Sequence, residues 1–158
     1  MQRRAGKLKL GAFLHPTGHH IASWRLPEAY EAANVDFKHY IDLARTAERG
    51  KFDMLFLADS SAMRNWPLER SSRVATYVAG FEPITLLSAL ASVTNNIGLV
   101  ATATTTYNEP FHVARKFASL DHLSGGRAGW NLVTSATDAE AANFGGDRIG
   151  RASCRERV

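Results

Sequence analysis

The chain has 158 residues, of which 45% are hydrophobic and 22% charged, a composition typical of one globular domain with a hydrophobic core rather than of a disordered chain. No apolar run approaches the ~20 residues that cross a bilayer, and the N-terminus lacks the apolar stretch of a secretory signal, so we expect a cytoplasmic protein without membrane contact. The net charge of +4 is concentrated near the two ends and the single cysteine cannot build a disulfide framework, which argues against a nucleic-acid-binding protein and a secreted disulfide scaffold.

Strand and helix patterns alternate along the chain. The segments with the apolar or alternating pattern of strands are 7–15, 52–59, 97–106 and 127–135. The segments with helical periodicity are 36–50, 82–96 and 109–126. Asp36 and Gly50 are the expected cap and stop of the first helix, and a proline opens the second. The connection 60–82 is long, so we expect it to be a functional loop or to contain a short helix.

This order predicts right-handed βαβ units and a parallel sheet. A doubly wound open sheet and half of a (β/α)₈ barrel both fit. The glycine-rich turn of a dinucleotide-binding fold is absent after the first strand, where the sequence reads HPTGHHIASW. Polar residues gather instead where the strands end, the face on which a barrel builds its active site. These residues are His15, His19, His20, Asp59, Ser60, Thr104, Thr105, Thr106, Asn131 and Thr134.

Several long blocks resemble the N-terminal part of the nitrilotriacetate and dibenzothiophene-sulfone monooxygenase family, which belongs to the bacterial-luciferase-like flavin monooxygenases. The blocks are GHHIASWR, TAERGKFDMLFLADS, the continuous segment 82–136 and AEAANFGGD, and together they cover roughly residues 7–147. The resemblance implies an α/β fold, the N-terminal half of a TIM-type (β/α)₈ barrel, over residues 1–147. It also implies a two-component enzyme that uses reduced FMN, supplied by a separate NAD(P)H-dependent flavin reductase, and dioxygen to oxygenate a small organic substrate. An aminopolycarboxylate or an organosulfur compound would be such a substrate, and we expect the full-length protein to be a homo-oligomer.

The resemblance also assigns roles to individual residues. The flavin is expected to contact Asp59, Asn131 and one threonine. Strand alternation favours Thr104 as this threonine, and Thr105 remains an alternative. Hydroxyl and amide groups can hydrogen-bond the polar edge of the ring without adding charge. Phe13 and His20 are expected on the substrate side, and His20 is the candidate catalytic residue because an imidazole can transfer protons near neutral pH.

Residues 148–158 read RIGRASCRERV and do not resemble the family, which continues to an HDRY motif and the rest of the barrel. We expect this tail to be artefactual or disordered, derived from a frameshift, an adapter sequence or an assembly break. A barrel needs about 250 residues. The chain is therefore expected to be an inactive N-terminal fragment.

Two other classes of function remain open from the residues. One is a metal-dependent barrel hydrolase with His15, His19 and His20 as ligands, although companion Asp, Glu and Cys ligands are not suitably spaced, and we expect no metal. The other is a non-enzymatic half-barrel remnant that pairs through its open sheet edges. A deazaflavin in place of FMN is a further alternative for the cofactor.

Overall fold

Four strands form a parallel sheet in the computed structural model, which describes residues 8–20, 22–30, 32–63 and 79–146. The strands pair in chain order and are β1 (Gly11–Phe13), β2 (Met54–Leu57), β3 (Gly98–Thr104) and β4 (Ala128–Val133). The predicted parallel arrangement is confirmed, and each strand is shorter than its predicted segment. The tail 148–158 and the central part of the connection 60–82 lie outside the described residues.

Helices follow the strands as the periodicity predicts. They are α1 (Phe37–Arg49), α2 (Pro83–Ala91), α3 (Pro110–Ser124) and α4 (Asp138–Asn143), with a 3₁₀ turn at Ser23–Arg25. The 3₁₀ turn and α4 were not predicted, because neither is long enough to show a hydrophobic period. A local signal for α4 does exist. Thr137 and Glu140 form a reciprocal capping box at its start.

The first two helices begin at carboxylate caps. Asp36 accepts a hydrogen bond from the Lys38 N–H at 2.9 Å, so the predicted cap of α1 is confirmed. Glu82 caps α2, accepting from the N–H groups of Ile84 at 3.0 Å and Thr85 at 2.7 Å. These contacts satisfy backbone donors that have no partner within the helix.

One face of the sheet carries the hydrophobic core. Residues paired across a parallel sheet point to the same side, so Leu55, Leu99 and Ala101 share one face. Helices α1 and α2 bury this face with Tyr40 and Leu87 among others. The opposite, inner face is left to the alternate residues of each strand. These are Gly11 and Phe13, Met54 and Phe56, Gly98, Val100, Thr102 and Thr104, and Gly129, Asn131 and Val133.

The carboxylate of Glu48 binds backbone N–H groups at the N-terminal end of the sheet. One oxygen of Glu48 accepts hydrogen bonds from the backbone N–H groups of Asn95 at 2.9 Å, Asn96 at 2.6 Å and Ile97 at 3.0 Å. Burial opposes the ionised form, but these hydrogen bonds and the positive charge of Arg127 outweigh it and lower the pKa of Glu48. Glu48 thus joins α1 to the turn that leads into β3.

Arg127 completes this end from the start of β4. Its guanidinium donates to the carbonyls of Ser124 at 2.6 Å, Ile97 at 2.9 Å, Thr94 at 3.0 Å and Ala91 at 3.1 Å, and to the Thr94 hydroxyl at 3.0 Å. The charged groups of Glu48 and Arg127 therefore form hydrogen bonds that connect the turns at this end of the sheet.

Replacing Glu48 by glutamine should destabilise the chain, because an amide cannot replace a charged acceptor for three N–H groups. We expect a loss of about 1–3 kcal/mol, or about 3–10 °C in Tm for a chain of this size, in thermal unfolding followed by circular dichroism. The pKa of Glu48 is lowered, so its contribution is present above the unfolded-state value of about 4.3 and is lost as pH falls.

Glu109→Gln is the matched control for this substitution. Glu109 is also a glutamate near a helix end, directly before α3, but its side chain makes no capping hydrogen bond. Equal Tm values for the Glu48→Gln variant and this control at pH 7 would contradict the structural role of Glu48.

Candidate functional site

Neutral polar side chains lie next to each other on the inner face of β3 and β4. Thr102 pairs with Asn131 in the register, and the Asn131 amide Nδ2 donates to the Thr102 Oγ1 at 2.9 Å. This bond fixes the plane of the amide. Two residues further along the strand, the hydroxyls of Thr104 and Ser135 are 2.9 Å apart. By the strand register, Thr104 lies on the same face as Thr102 and Asn131.

A glycine brings these two strands close together. Gly129 lies opposite Val100, and a Cβ added to Gly129 would be 2.9 Å from the Val100 Cγ2, closer than real Cβ contacts. Only glycine lets β4 approach the valine at this distance. The approach places Asn131, two residues later on the same face, within reach of Thr102.

A cavity of about 640 Å³ opens at the ends of β1 and β2. Two predicted site residues, Phe13 and Asp59, line it together with His15, Asn34, Tyr40 and Glu82. Its volume falls in the range of small-molecule sites. The Nδ2 of Asn34 is buried and has no hydrogen-bond partner among the residues that the structure describes. The structure therefore brings Phe13 and Asp59 into one cavity, whereas Thr104 and Asn131 lie outside its lining on the neighbouring strands.

Asp59 has an unusual electrostatic environment. Its side chain is open to the cavity, but the surrounding residues exclude part of the water that would solvate it. This desolvation raises the pKa of Asp59. The hydrogen bond that the Ser60 N–H donates to Asp59 acts to lower this pKa. The negative charges of Glu82 and Glu140 add to the increase in pKa. Burial raises the pKa of the nearby Tyr40 hydroxyl to about 12.

Two residues of α4 hold the loop that carries Asp59. The Oε1 of Glu140 accepts hydrogen bonds from the Ser61 N–H at 3.2 Å and the Ser60 hydroxyl at 3.4 Å. Asn143 donates its amide to the Ser61 carbonyl at 2.7 Å. Sequence reasoning singled out neither residue. The Thr137–Glu140 pattern signals a capping box but does not indicate that the same carboxylate reaches a loop 79 residues earlier.

Residues that flank this short helix contact the loop after β3. The rings of Tyr107 and Phe144 stack with centroids 4.1 Å apart and an interplanar angle of 8°. Thr106 accepts a hydrogen bond from the Ser135 N–H at 2.9 Å. The segment around α4 therefore connects the loops that follow β2, β3 and β4.

The histidines of the loop after β1 occupy different environments. His20 is exposed, its Nδ1 accepts from the Ala22 N–H at 3.1 Å, and it does not line the cavity. His15 lines the cavity, and its ring lies 4.9 Å from that of His19. The His19 ring packs edge-on against Phe13 at 4.6 Å. Within the described ranges, no three His, Cys, Asp or Glu side chains are grouped as a metal site would need.

No helix in the described parts of the chain combines the length and hydropathy needed to cross a membrane.

Comparisons with known proteins agree on one family. The sequence model described as luciferase-like monooxygenase matches residues 17–155. The chain is 55% identical over 148 residues to N-acetyl-S-(2-succino)cysteine monooxygenase of Bacillus subtilis (strain 168), covering 94% of this chain and 32% of that protein. It is 48% identical over 159 residues to nitrilotriacetate monooxygenase component A of Aminobacter aminovorans, covering 92% of this chain and 35% of the relative.

A solved structure gives the same result at the level of the fold. EDTA monooxygenase from Chelativorans sp. BNC1 superposes with a TM-score of 0.83 at 34% identity, over 95% of this chain and 35% of the other. The chain thus spans about a third of the length of the curated relatives it matches. Its four parallel strands and their helices correspond to part of a TIM-type barrel in these relatives. On its sequence and its fold together, the chain belongs to the luciferase-like monooxygenase family.

Proposed function

We propose that the chain contributes the ring-binding strand ends of a reduced-flavin site in a two-component monooxygenase. Luciferase-like monooxygenases are flavin-dependent. The observation that carries the proposal is the row of neutral hydroxyl and amide groups on the inner face, Thr102, Thr104 and Asn131, at the same end of the sheet as Asp59. In a barrel this end of the strands is the active-site face.

The donor set fits the flavin ring. The ring edge alternates hydrogen-bond donors and acceptors, and an amide and a hydroxyl each offer both. Asp59 accepts hydrogen bonds when ionised and can donate one when protonated, a form that its raised pKa favours.

The reaction would be the oxygenation of a small organic substrate. Reduced FMN would supply the two electrons with which one atom of dioxygen enters the substrate and the other leaves as water. The chain's residues would bind the ring edge, and the packed rings of Phe13 and Phe56, with centroids 4.7 Å apart and planes tilted by 44°, would help exclude water from it. His20 is proposed as the proton carrier, and His15, which lines the cavity, is the alternative that the geometry favours.

The partner and the substrate are proposed by similarity. The name of the Aminobacter relative, component A, fits a system in which a separate NAD(P)H-dependent reductase delivers reduced FMN. The names of the relatives fit an aminopolycarboxylate or an organosulfur compound as the substrate. Because the chain spans about a third of these relatives, turnover is proposed for a protein with a complete barrel, and only contact with the ring is proposed for the chain itself.

Flavin binding can be tested residue by residue. Oxidised riboflavin and FMN should both shift the amide NMR signals of Asp59, Thr104 and Asn131 in the purified chain, with similar affinities because the proposed contacts reach only the ring. Asn131→Ala should weaken binding about 3–10-fold, since one net hydrogen bond contributes about 0.5–1.5 kcal/mol.

Asn95→Ala is the matched control, because Asn95 lies at the opposite end of the sheet and uses only its backbone N–H for its bond to Glu48. Its flavin affinity should equal that of the wild type. Flavin-induced shifts scattered over both ends of the sheet, or equal weakening by the two substitutions, would refute the proposed site.

The raised pKa of Asp59 predicts a cost in stability. A group whose pKa is raised on folding stabilises the folded state below its unfolded-state pKa, about 3.9, and loses that contribution as pH rises through the folded value. Asp59→Asn should therefore raise the Tm at pH 7 by about 1–3 °C, a small effect because the carboxyl is partly hydrated. The difference should vanish near pH 3.

Asp42→Asn, an exposed substitution on α1 outside the cavity, should leave the Tm unchanged at both pH values. The assigned environment of Asp59 is incorrect if Asp59→Asn lowers the Tm at pH 7 while folding normally.

A further inference from the structure

We propose that Glu140, together with Asn143, is a positioning residue of the flavin site, which from α4 fixes the loop that carries Asp59. The inference rests on the proposed function, because Asp59 matters here as a contact of the flavin ring. Neither residue belongs to the strand ends proposed to touch the ring.

The two residues hold both backbone groups of Ser61. Glu140 accepts from the Ser61 N–H at 3.2 Å, and Asn143 donates to the Ser61 carbonyl at 2.7 Å. Glu140 also accepts from the Ser60 hydroxyl at 3.4 Å. Asp59 directly precedes these residues, so its backbone position is fixed from a helix that lies after β4.

The second carboxylate oxygen of Glu140 accepts hydrogen bonds from the loop that follows β4. It accepts from the Ala136 N–H at 3.1 Å, the Thr137 N–H at 3.3 Å and the Thr137 hydroxyl at 3.2 Å. One carboxylate therefore joins the loop after β2 to the loop after β4. An amide cannot take this role, because it offers a single acceptor oxygen and its nitrogen would face donors.

The carboxylate is ionised in this position. The side chain is buried, and burial alone would raise the pKa of Glu140. Hydrogen bonds from the backbone of Ala136, Ser61 and Thr137 and from the Thr137 hydroxyl outweigh burial, and the net pKa is lowered. A fixed negative charge thus lies beside the Asp59 loop.

The charge of Glu140 acts on Asp59 together with groups from other elements. Glu82 at the start of α2 is a second negative charge, and the Ser60 N–H is a donor. His15, from the loop after β1, and Tyr40, from α1, line the same cavity. Removing the charge of Glu140 alone should leave these other groups in place.

Glu48 provides a control with the same architecture. It too is a carboxylate that accepts several backbone N–H bonds and ties a helix to a distant loop, but at the opposite end of the sheet. A variant that merely loosens the fold should behave like Glu48→Gln. A variant that displaces Asp59 should differ from it.

The experiment compares Glu140→Gln, Asn143→Ala and Glu48→Gln in the purified 158-residue chain by NMR. The carboxyl carbon of Asp59 is titrated with pH in the absence of flavin, and FMN is then added. We expect Glu140→Gln to lower the titration midpoint of Asp59, to weaken FMN binding about 3–10-fold and to remove the FMN-induced shift at Asp59, while the shifts at Thr104 and Asn131 persist.

Asn143→Ala keeps the charge and loses one bond to the loop. It should leave the midpoint of Asp59 unchanged and reduce the FMN-induced shift there, which keeps the inference testable if Glu140→Gln does not fold. Glu48→Gln should change neither property. The inference is overturned if neither the titration midpoint nor the FMN-induced shift of Asp59 changes in either α4 variant. It is also overturned if Glu48→Gln produces the same changes.

The two proposals fail in different ways. If FMN produces no shift at Asp59 in the wild-type chain, the proposed flavin contact is wrong, and the titration without flavin still decides whether Glu140 positions Asp59. If the wild type shows the shift and Glu140→Gln keeps it, the flavin contact stands and the role of Glu140 is refuted.

Discussion

The burial of one face of the sheet under helices is the constraint from which the rest of the structure follows. Leu55, Leu99 and Ala101 must point toward α1 and α2 to form the core. Because side chains alternate along a strand, the intervening residues then face inward. Thr102, Thr104 and Asn131 share the inner face for this reason, and the glycine at 129 lets their strands approach.

The two ends of the sheet use polar groups differently. At the N-terminal end, Glu48 and Arg127 place their charged groups in hydrogen bonds that connect turns and helix ends. At the C-terminal end, Asp59 faces a cavity beside two other carboxylates and has a raised pKa. The N-terminal end thus carries stabilising contacts, whereas the C-terminal end carries both the loop contacts of Glu140 and the cavity-facing carboxyl of Asp59.

Local sequence patterns predicted the elements and part of the site. Periodicity identified the four strands and the three longer helices, and Asp36 was recognised as a cap. Strand alternation selected Thr104 among the threonines, and the strand register shows it on the same face as Asn131. The contacts of Glu140 could not be predicted, because a capping pattern describes only its own helix. The strand β1 was predicted too long. Leu10 and Leu14 on either side of it fit the apolar pattern and hydrogen-bond to the backbone at β2, but the strand itself is limited to Gly11–Phe13.

The link between α4 and Ser61 has a consequence for the order of folding. The residues that it joins are 79 to 82 positions apart in sequence, so this contact has a high loop-closure cost and needs β3, α3 and β4 to be in place first. During synthesis, the loop with Asp59 leaves the ribosome long before its anchor. The cavity wall is therefore among the last parts of this sheet to be completed, and Asp59 acquires its final environment only when α4 docks.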